Sequence, residues 1–502
     1  MCIRDRPVPV LLLLERLLRS AALHQREREL VDADAGPRLV PDRPPRRLEP
    51  GHGGDGAGHG PADHHLLLRP ARVRAGHHAD GIQGLKIAVI GGGSTYTPEL
   101  VDGFARLGSM VSELVLIDPA AERLEVVGAF AARIFLNYGH PGKVTWTSDL
   151  DAGVTDADAV VIQLRVGGQQ ARITDETFPL ECGCVGQETT GAGGLAKALR
   201  TVPIILDVAE RIRKRARPGA WIVDFTNPVG IVTRALLDAG HRAVGLCNVA
   251  IGFQRRFANH LGVDPSAVVL DHVGLNHLTW ERAAYVDGVD RLPELIERHI
   301  SDMSEEVDVP AEIITMLGAV PSYYLSYFYA HDRHVRESLG APTRGQRVAE
   351  IEATLLDMYR DVTLVEKPSL LGERGGAYYS EAAVGLLGSL FGLDDDAVHS
   401  VNVRNNGILP FLPAGAVIEV SARAGLDGPA PLPVTPLAPD LAALITHTWG
   451  YEELALDAAL RGGRDRVYRA LLAHPLIGQH EKADPLADRL IAAGRAHLAW
   501  AR

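Results

Sequence analysis

A thiol and an imidazole near the middle of the chain are of the types that bind divalent metals. Cys247 stands in the segment Gly-Leu-Cys-Asn, and His277 ends the segment Gly-Leu-Asn-His 30 positions later. Each alone is more often structural, as a small buried apolar residue or a hydrogen-bonded imidazole. Both follow predicted strands, however, and two ligands leave open positions for substrate oxygens. The pair therefore predicts a catalytic site for Mn²⁺, Fe²⁺, Co²⁺ or Ni²⁺, among which the spacing does not choose.

A glycine-rich turn upstream of this pair predicts a dinucleotide site. Such a turn after an apolar strand lets the backbone approach a pyrophosphate, which the next helix binds through its free N–H groups. The third glycine of the strict G-x-G-x-x-G pattern is replaced by Tyr96. Asp118 ends the next apolar segment, where a carboxylate binds both ribose hydroxyls and disfavours a 2′-phosphate, so NAD is expected rather than NADP. The predicted cofactor-binding residues are Gly91, Gly92, Gly93, Ser94, Thr95 and Asp118.

Two further polar residues stand just past predicted strands, where sheets of this kind bind ligands. Arg165 could bind an anionic group through two hydrogen bonds, and Asn227, held by Pro228, could orient a carboxamide or a substrate hydroxyl. The plain alternatives are a surface arginine and an ordinary Asn-Pro turn. Few chemistries need a metal and a nicotinamide in one pocket. Together these residues point to oxidation of a sugar or hydroxy acid at a metal-chelated carbinol.

These side chains can meet only if the ends of several strands share one edge of a sheet. Short apolar segments alternate with helix-length segments, which predicts an α/β fold with a Rossmann-like, doubly wound parallel sheet. We expect an NAD-binding domain at 85–275 and a mixed α/β domain for substrate, metal and oligomerisation at 276–502. The predicted strands are 85–90, 114–118, 144–147, 159–164, 221–225 and 243–247.

The second half of the chain is predicted to mix strands and helices. Residues 268–286 have a strand-like pattern, and 292–316 and 346–359 have a helical one. Residues 428–433 are rich in proline and are predicted to form a loop. A helical tail is expected from 441, with Asp440 as its N-cap.

Composition excludes several classes of function. The chain has 502 residues and a formal net charge of −12, which argues against nucleic acid as a partner. Its four cysteines are too few for a disulfide framework, so a reducing cytoplasm is expected. No apolar run approaches the roughly 18 residues that a membrane span needs, so no membrane partner is expected.

Residues 1–84 differ from the rest of the chain, because they contain no Lys and show no helical or strand period. We expect either a disordered extension or a translation of DNA upstream of the true start, without function in both cases. The opening Met-Cys-Ile-Arg-Asp-Arg favours the second interpretation.

A set of motifs, in order from about residue 85 to at least 422, resembles glycoside hydrolase family 4, in particular its 6-phospho-β-glucosidase branch. This NAD-dependent family departs from two-carboxylate glycoside hydrolysis. The motifs are IGGGSTYTPEL at 90–100, GQETTG at 186–191, DFTNP at 224–228, GLCN at 245–248, GLNH at 274–277 and GGAYY at 375–379.

The resemblance implies a role for individual residues. Cys247 and His277 match the metal ligands, and Tyr324 matches the catalytic base, with its neighbour Tyr323 as the alternative. In the α-glycosidase branch an Asp after the Cys donates a proton, whereas this chain has an Asn there, which favours a β-glycoside substrate. The matched substrate-binding residues are Arg165, Asn227, Asn248 and Arg344, the last of them near the phosphate.

The resemblance also implies a reaction and its cofactors, NAD and Mn²⁺ or another divalent metal. Hydride leaves C3 of the sugar for NAD⁺, Tyr324 removes the acidified C2 proton, and the glycosidic oxygen departs from C1. Water then adds at C1 and the hydride returns, so no NADH accumulates. The expected partners are a small phosphorylated sugar and further copies of the chain, as a dimer or tetramer.

Two other functions stay open at this stage. A 2-hydroxy-acid dehydrogenase of the lactate/malate type would share the Thr-Asn-Pro segment but would need a catalytic His–Asp pair and no thiolate metal site. A non-catalytic NAD-dependent sensor would need a lost base or ligand, whereas Cys247, His277 and Tyr324 are all present.

Overall fold

The computed structural model of the protein describes residues 84–106, 110–375, 378–394 and 397–501. The expectation for 1–84 therefore lies outside the described residues, except at Gly84. Six strands of the first half form the parallel part of the sheet: β1 (Leu85–Ile90), β2 (Val111–Ile117), β3 (Lys143–Thr147), β4 (Ala159–Ile162), β5 (Trp221–Asp224) and β6 (Ala243–Leu246).

The remaining strands extend this sheet with antiparallel neighbours. They are β7 (Val268–Leu275), β8 (Leu278–Val286), β9 (Val289–Asp290), β10 (Val320–Pro321), β11 (Val398–Arg404), β12 (Val417–Gly425) and β13 (Gly428–Pro431). The order is β10-β8-β7-β12-β11-β6-β5-β4-β1-β2-β3, with β13 paired to β12 and β9 to β8. The predicted boundary at 275/276 falls in the turn between β7 and β8, and the division into two domains stays a prediction.

A helix follows each of the strands β1 to β6. In the first half they are α1 (Thr97–Arg106), α2 (Ala121–Asn137), α3 (Leu150–Val154), α4 (Gly168–Thr177), α5 (Gly191–Arg215), α6 (Val229–Asp238) and α7 (Val249–Leu261). In the second half they are α8 (Leu292–Val307), α9 (Ala311–Leu317), α10 (Ser326–Tyr329), α11 (His331–Ser338), α12 (Arg344–Arg360), α13 (Tyr379–Leu390), α14 (Pro439–Arg461), α15 (Arg464–Ala473) and α16 (His480–Gly494).

The strand β1 shows why the sheet is covered on both faces. Its side chains alternate, so Ile87 belongs to one core cluster with Phe104 and Phe130, whereas Ile90 belongs to another with Leu195 of α5. A strand that is apolar on both faces must have helices on both sides. The predicted doubly wound sheet is confirmed, and its parallel half has the order β3-β2-β1-β4-β5-β6.

Three predicted elements differ in detail. The helix expected at 292–316 is two helices, because Pro310 starts the second and Asp308 lies in the left-handed region with φ 53°. Residues Gly428–Pro431 form the edge strand β13 rather than a loop, and proline is tolerated at such an edge. The tail helix begins at Pro439, so Asp440 lies in its first turn and Ala438 is the N-cap.

Within the described part of the chain, no helix is both long and apolar enough to cross a membrane.

Candidate active site

The glycine-rich turn after β1 is packed too closely for any side chain at its first two positions. The N–H groups of Gly91 and Gly92 both donate to the Ile117 carbonyl at 2.9 Å. A Cβ on Gly91 would lie 2.6 Å from the Gln163 oxygen, and one on Gly92 would lie 2.7 Å from the Ile117 nitrogen. Only glycine fits there, and Gly91 also has φ +86°. The turn is thus held flat against the tips of β2 and β4.

Asp118 stands at the tip of β2, as predicted. Its Oδ2 accepts from the Gly93 N–H at 3.1 Å, and its Oδ1 accepts from the Ala120 N–H at 2.9 Å. Burial raises the pKa of this carboxyl, which the two N–H groups oppose. The carboxylate therefore borders the glycine turn, where a ribose next to a bound pyrophosphate would lie.

An ionic cluster that joins α2 to the second half of the chain clamps the same turn. Arg374 donates from Nε to the Thr95 hydroxyl at 2.8 Å and from Nη2 to Glu352 at 2.7 Å. Arg123 donates from Nε to the Gly93 carbonyl at 2.7 Å and contacts Glu352 at 3.3 Å. The two guanidinium groups lower the pKa of Glu352 to about 2 against the effect of burial. Sequence reasoning missed Glu352 and Arg374, because they belong to no motif.

Cys247 lies between the end of β6 and the first turn of α7. It is 4% exposed. The backbone N–H groups of Asn248 and Val249 and the side chain of Asn276 hydrogen-bond its sulfur and favour the thiolate. Burial and the nearby Glu419 dominate, and they raise the pKa of the thiol well above its usual range. A bound divalent cation would reverse this balance, since it deprotonates a coordinating thiol.

His277 occupies the turn between β7 and β8 with φ +66°. Its Nδ1 is buried and has no hydrogen-bond partner among the described residues. Burial lowers the pKa of His277 to about 4, so the imidazole is neutral at pH 7. The neighbouring Asn276 hydrogen-bonds the Cys247 sulfur, and a neutral imidazole with an uncommitted nitrogen in this setting fits a divalent metal such as Mn²⁺.

Phenol groups cover the imidazole. The Tyr324 ring stacks on His277 with centroids 3.6 Å apart and an interplanar angle of 15°, and Tyr323 lies 4.5 Å from Tyr324. Burial and then the neighbouring Tyr323 hold the pKa of Tyr324 well above its usual value. Cys247 and Tyr379 also raise the pKa of that phenol, so both lie near Tyr324. Tyr324 could lose its proton only with a cation beside it.

Three cations surround Glu188, which belongs to the GQETTG motif. Arg165 forms an ion pair with it, Lys197 donates to it at 2.8 Å and Arg172 lies 3.3 Å away. Although Glu188 is buried, these charges hold the pKa of its carboxyl well below the usual range. Arg165 is therefore partly neutralised within the protein. Sequence reasoning assigned no role to Glu188, Lys197 or Arg172, although the first lies in a quoted motif.

Arg344 begins α12 and lies beside the same cations. It donates from Nη2 to the Glu373 carbonyl at 2.6 Å. Burial and then Arg172 lower its pKa, which shows that the two guanidinium groups repel each other. Glu176 and Glu373 offset part of this repulsion, and the guanidinium groups that remain on this side of the pocket suit an anion.

A chain of buried polar groups fixes the loop that carries His277. Glu419 accepts from Asn276 at 2.9 Å and from Asn402 at 2.8 Å, and it contacts His272 at 3.0 Å. His272 is also 2.7 Å from Glu281, and the two carboxylates raise its pKa to about 10. Asn276 touches the thiol of Cys247, so this network positions a side chain beside both predicted metal ligands.

The two asparagines predicted to bind substrate lie in different settings. Asn227 directs a buried Oδ1 that has no hydrogen-bond partner among the described residues, and its peptide bond to Pro228 is cis. Asn248 is the N-cap residue of α7, next to Cys247. A pocket lined by Thr189, Thr190 and Pro228 opens onto His277 and Tyr324. Two of the quoted motifs therefore border the predicted metal ligand.

Two family models together match most of the chain. The family model "Family 4 glycosyl hydrolase" matches residues 86–263, and "Family 4 glycosyl hydrolase C-terminal domain" matches residues 272–477. A "Probable 6-phospho-beta-glucosidase" of Bacillus subtilis (strain 168) is 37% identical over 437 residues, which cover 83% of this chain and 98% of that protein.

Solved structures of a similar enzyme superpose on most of this chain. The 6-phospho-beta glucosidase from Thermotoga maritima with NAD and glucose-6-phosphate superposes with a TM-score of 0.77 at 33% identity, over 82% of this chain and 99% of that chain. A form of the same enzyme with manganese, NAD+ and glucose-6-phosphate gives a TM-score of 0.76 at 32% identity, over 82% and 98% of the two chains.

Proposed function

Because the chain belongs to family 4 of the glycosyl hydrolases, we propose that it hydrolyses 6-phospho-β-glucosides, with NAD⁺ and a divalent metal, Mn²⁺ first, as cofactors. Three relatives whose names contain 6-phospho-beta-glucosidase match this chain over nearly their whole length. The resemblance expected from the motifs is thus confirmed.

One observation carries the proposal, namely the stacking of Tyr324 on His277 with Cys247 nearby. A base in this reaction must stand beside the cation, because only a nearby positive charge brings a buried phenol into a useful pKa range. The structure places the phenol against the imidazole whose free nitrogen fits that cation.

The residues of the chain then have distinct tasks. Bound NAD⁺ would supply a hydride acceptor at C3 of the sugar, and the cation held by Cys247 and His277 a Lewis acid at the C2 and C3 oxygens. Tyr324 takes the proton from C2 as the glycosidic oxygen leaves C1, and returns it after water has added. Asn227 directs its unpartnered Oδ1 toward a sugar hydroxyl.

A 6-phosphate fits the positive pocket formed by Arg172, Arg344 and Arg165. Glu188 already pairs with Arg165 and Arg172, and Glu176 pairs with Arg172, whereas Arg344 forms no ion pair among the described residues and donates to the Glu373 carbonyl. An Arg is suited to bind phosphate through two parallel hydrogen bonds. We therefore assign the phosphate to the Arg172–Arg344 side of the pocket.

Asn248 supports a β-glycoside as the substrate. An amide at the first turn of α7 cannot donate the proton that an α-glycoside would require there, and the side chain instead borders the sugar. We also propose the domain division 85–275 and 276–502, a cytoplasmic location, a homo-oligomer, and the absence of nucleic-acid and membrane partners.

Hydrolysis of a chromogenic β-glucoside tests the proposal, with and without a 6-phosphate and with and without NAD⁺ and Mn²⁺. We expect release of the chromophore only from the phosphorylated substrate and only with both cofactors. NADH should not accumulate, because the hydride returns to the sugar. Net formation of NADH would favour a dehydrogenase, and equal cleavage of the α-anomer would contradict the assignment from Asn248.

A further inference from the structure

Two histidines and an aspartate form a compact cluster between α7 and α8. The His260 and His299 rings have centroids 4.0 Å apart with an interplanar angle of 31°. Asp302 places an oxygen 3.9 Å from Nδ1 of His299. One ligand atom from each of the three residues lies within 4.8 Å of the other two. Neither a family motif nor the proposed reaction uses these residues.

The two helices hold the cluster in place. His299 lies at a kink of α8, where its backbone leaves the helical region with φ −127° and ψ 21°, and its ring contacts both His260 of α7 and Asp302. One turn away on each helix, Arg256 pairs with Glu306 at 2.5 Å. This ion pair is a second link between α7 and α8 beside the cluster, and Glu306 offsets the charge of Arg256, which acts on His260.

The surroundings of His260 favour a neutral imidazole, which can bind a metal, over an imidazolium ion. Burial and then the neighbouring His299 lower the pKa of His260, because two imidazolium ions this close would repel each other. A neutral imidazole offers a lone pair to a metal. Two imidazoles and a carboxylate are donors that Zn²⁺ accepts, with a fourth position left for water.

We propose that His260, His299 and Asp302 form a second divalent-cation site, of the zinc type, that cross-links α7 and α8. It is separate from the predicted catalytic metal, since His260 lies 11 residues beyond Val249, about 17 Å along the helix. The first turn of α7 donates N–H groups to Cys247, and α8 packs against the turn of Tyr323–Leu325. The cation would therefore stabilise the two elements that present the catalytic groups.

Zinc titration of the untagged, metal-free full chain tests the site, with calorimetry for stoichiometry and a thermal melt for stability. We expect His260→Ala to bind one equivalent of Zn²⁺ fewer than the unmodified protein and to lose the zinc-dependent rise in Tm. Asp302→Asn should weaken this binding while the apoprotein keeps its Tm, because Asp302 is exposed. Glu297→Gln on the same helix makes the same charge change outside the cluster and should bind as the unmodified protein does.

A second set of variants distinguishes zinc bound at the α7–α8 cluster from zinc bound at the proposed catalytic metal site. His277→Ala should retain the α7–α8 equivalent, and the double variant His260→Ala/His277→Ala should lose it. An unchanged stoichiometry on going from His277→Ala to the double variant would overturn the proposal, and so would identical binding by Asp302→Asn and Glu297→Gln. Neither result would bear on glycosidase activity, which is assayed separately.

Discussion

At the scale of single residues, burial sets what the catalytic groups can do. The pKa values of Cys247 and Tyr324 lie above their usual ranges, and that of His277 lies below its own. All three side chains are therefore neutral until a cation arrives. A divalent metal would turn the thiol into a thiolate and make the phenol acidic. We therefore expect activity to require a metal, because the two proposed ligands and the proposed base are uncharged without one.

Substitution of the base should stop the reaction without stopping binding. Tyr324→Phe keeps the ring that stacks on His277, so we expect an unchanged Kd for glucose-6-phosphate and a kcat about 10²–10⁴-fold lower. Product formed in D₂O by the unmodified enzyme should carry deuterium at C2. Tyr323→Phe is the matched control and should retain most activity. Full exchange at C2 in Tyr324→Phe would move the role of base to Tyr323 or Tyr379.

Removal of either predicted metal ligand should abolish metal binding and spare the cofactor. Cys247→Ser and His277→Ala each delete one donor, while the glycine turn and Asp118 stay intact. We expect loss of bound Mn²⁺ by elemental analysis and an NAD⁺ affinity close to that of the unmodified protein. Cys182→Ser changes another thiol of the chain, away from the pocket, and should keep its metal. Full metal occupancy in both site variants would remove the ligand assignment.

At the scale of elements, the glycine turn depends on α12 and on the 3-10 segment Ser369–Arg374. Glu352 holds Arg374 and Arg123 against the turn. Glu352→Gln leaves the largely buried Arg374 and the partly exposed Arg123 without their counter-ion, and breaking a buried pair such as Arg374–Glu352 costs about 3–5 kcal/mol. We expect a lower Tm and a weaker NAD⁺ affinity by titration. Glu350→Gln, exposed on the same helix, should change neither quantity.

The ion pairs of Glu352 should also make the free energy of unfolding depend on pH in acid. The pKa of Glu352 falls from 4.5 to about 2 on folding. A depressed pKa adds stability above the unfolded value, and this contribution is lost as the pH falls from about 4.5 through about 2. Between those values the unmodified protein should lose stability more steeply than Glu352→Gln, as measured by urea unfolding at each pH. Parallel curves would show that Glu352 does not carry the effect.

At the scale of the whole molecule, one continuous sheet links the nucleotide turn to the metal pocket. β6 ends beside Cys247 and pairs with β11, and β12 joins β11 to β7, which leads to His277. The predicted halves at 85–275 and 276–502 thus share a sheet. Ligands of the proposed metal come from two different strands of it, so the pocket forms only when the sheet is complete.

Deletion of residues 1–84 should leave the enzyme unchanged. The family models match from residue 86 onward, and β1 is already paired on both edges by β2 and β4. We expect equal kcat and equal Tm for the full and shortened chains, by activity assay and calorimetry. A fall in Tm of several degrees would show that the segment contributes to the core.

The sequence by itself determined the parallel sheet, the glycine turn, Asp118 and the family. These features can be predicted from short stretches of sequence. An apolar segment of strand length followed by glycines is compatible with few local structures. The assignment of Cys247 and His277 as one metal site stays a prediction, and strand direction does not explain it, because β7 runs antiparallel to β6 through β11 and β12. Thr189 and Thr190 of the motif at 186–191 line the pocket that contains His277.

Only the tertiary structure decided which distant side chains support these residues. Glu352 reaches the turn of Gly93 from more than 250 positions away, and Glu419 reaches Asn276 from 143 positions away. A buried carboxylate is stable only where cations or N–H donors from other elements surround it, and that condition leaves no periodic pattern in one sequence. The clamp on the nucleotide turn, the support of the metal loop and the α7–α8 cluster therefore came from packing alone.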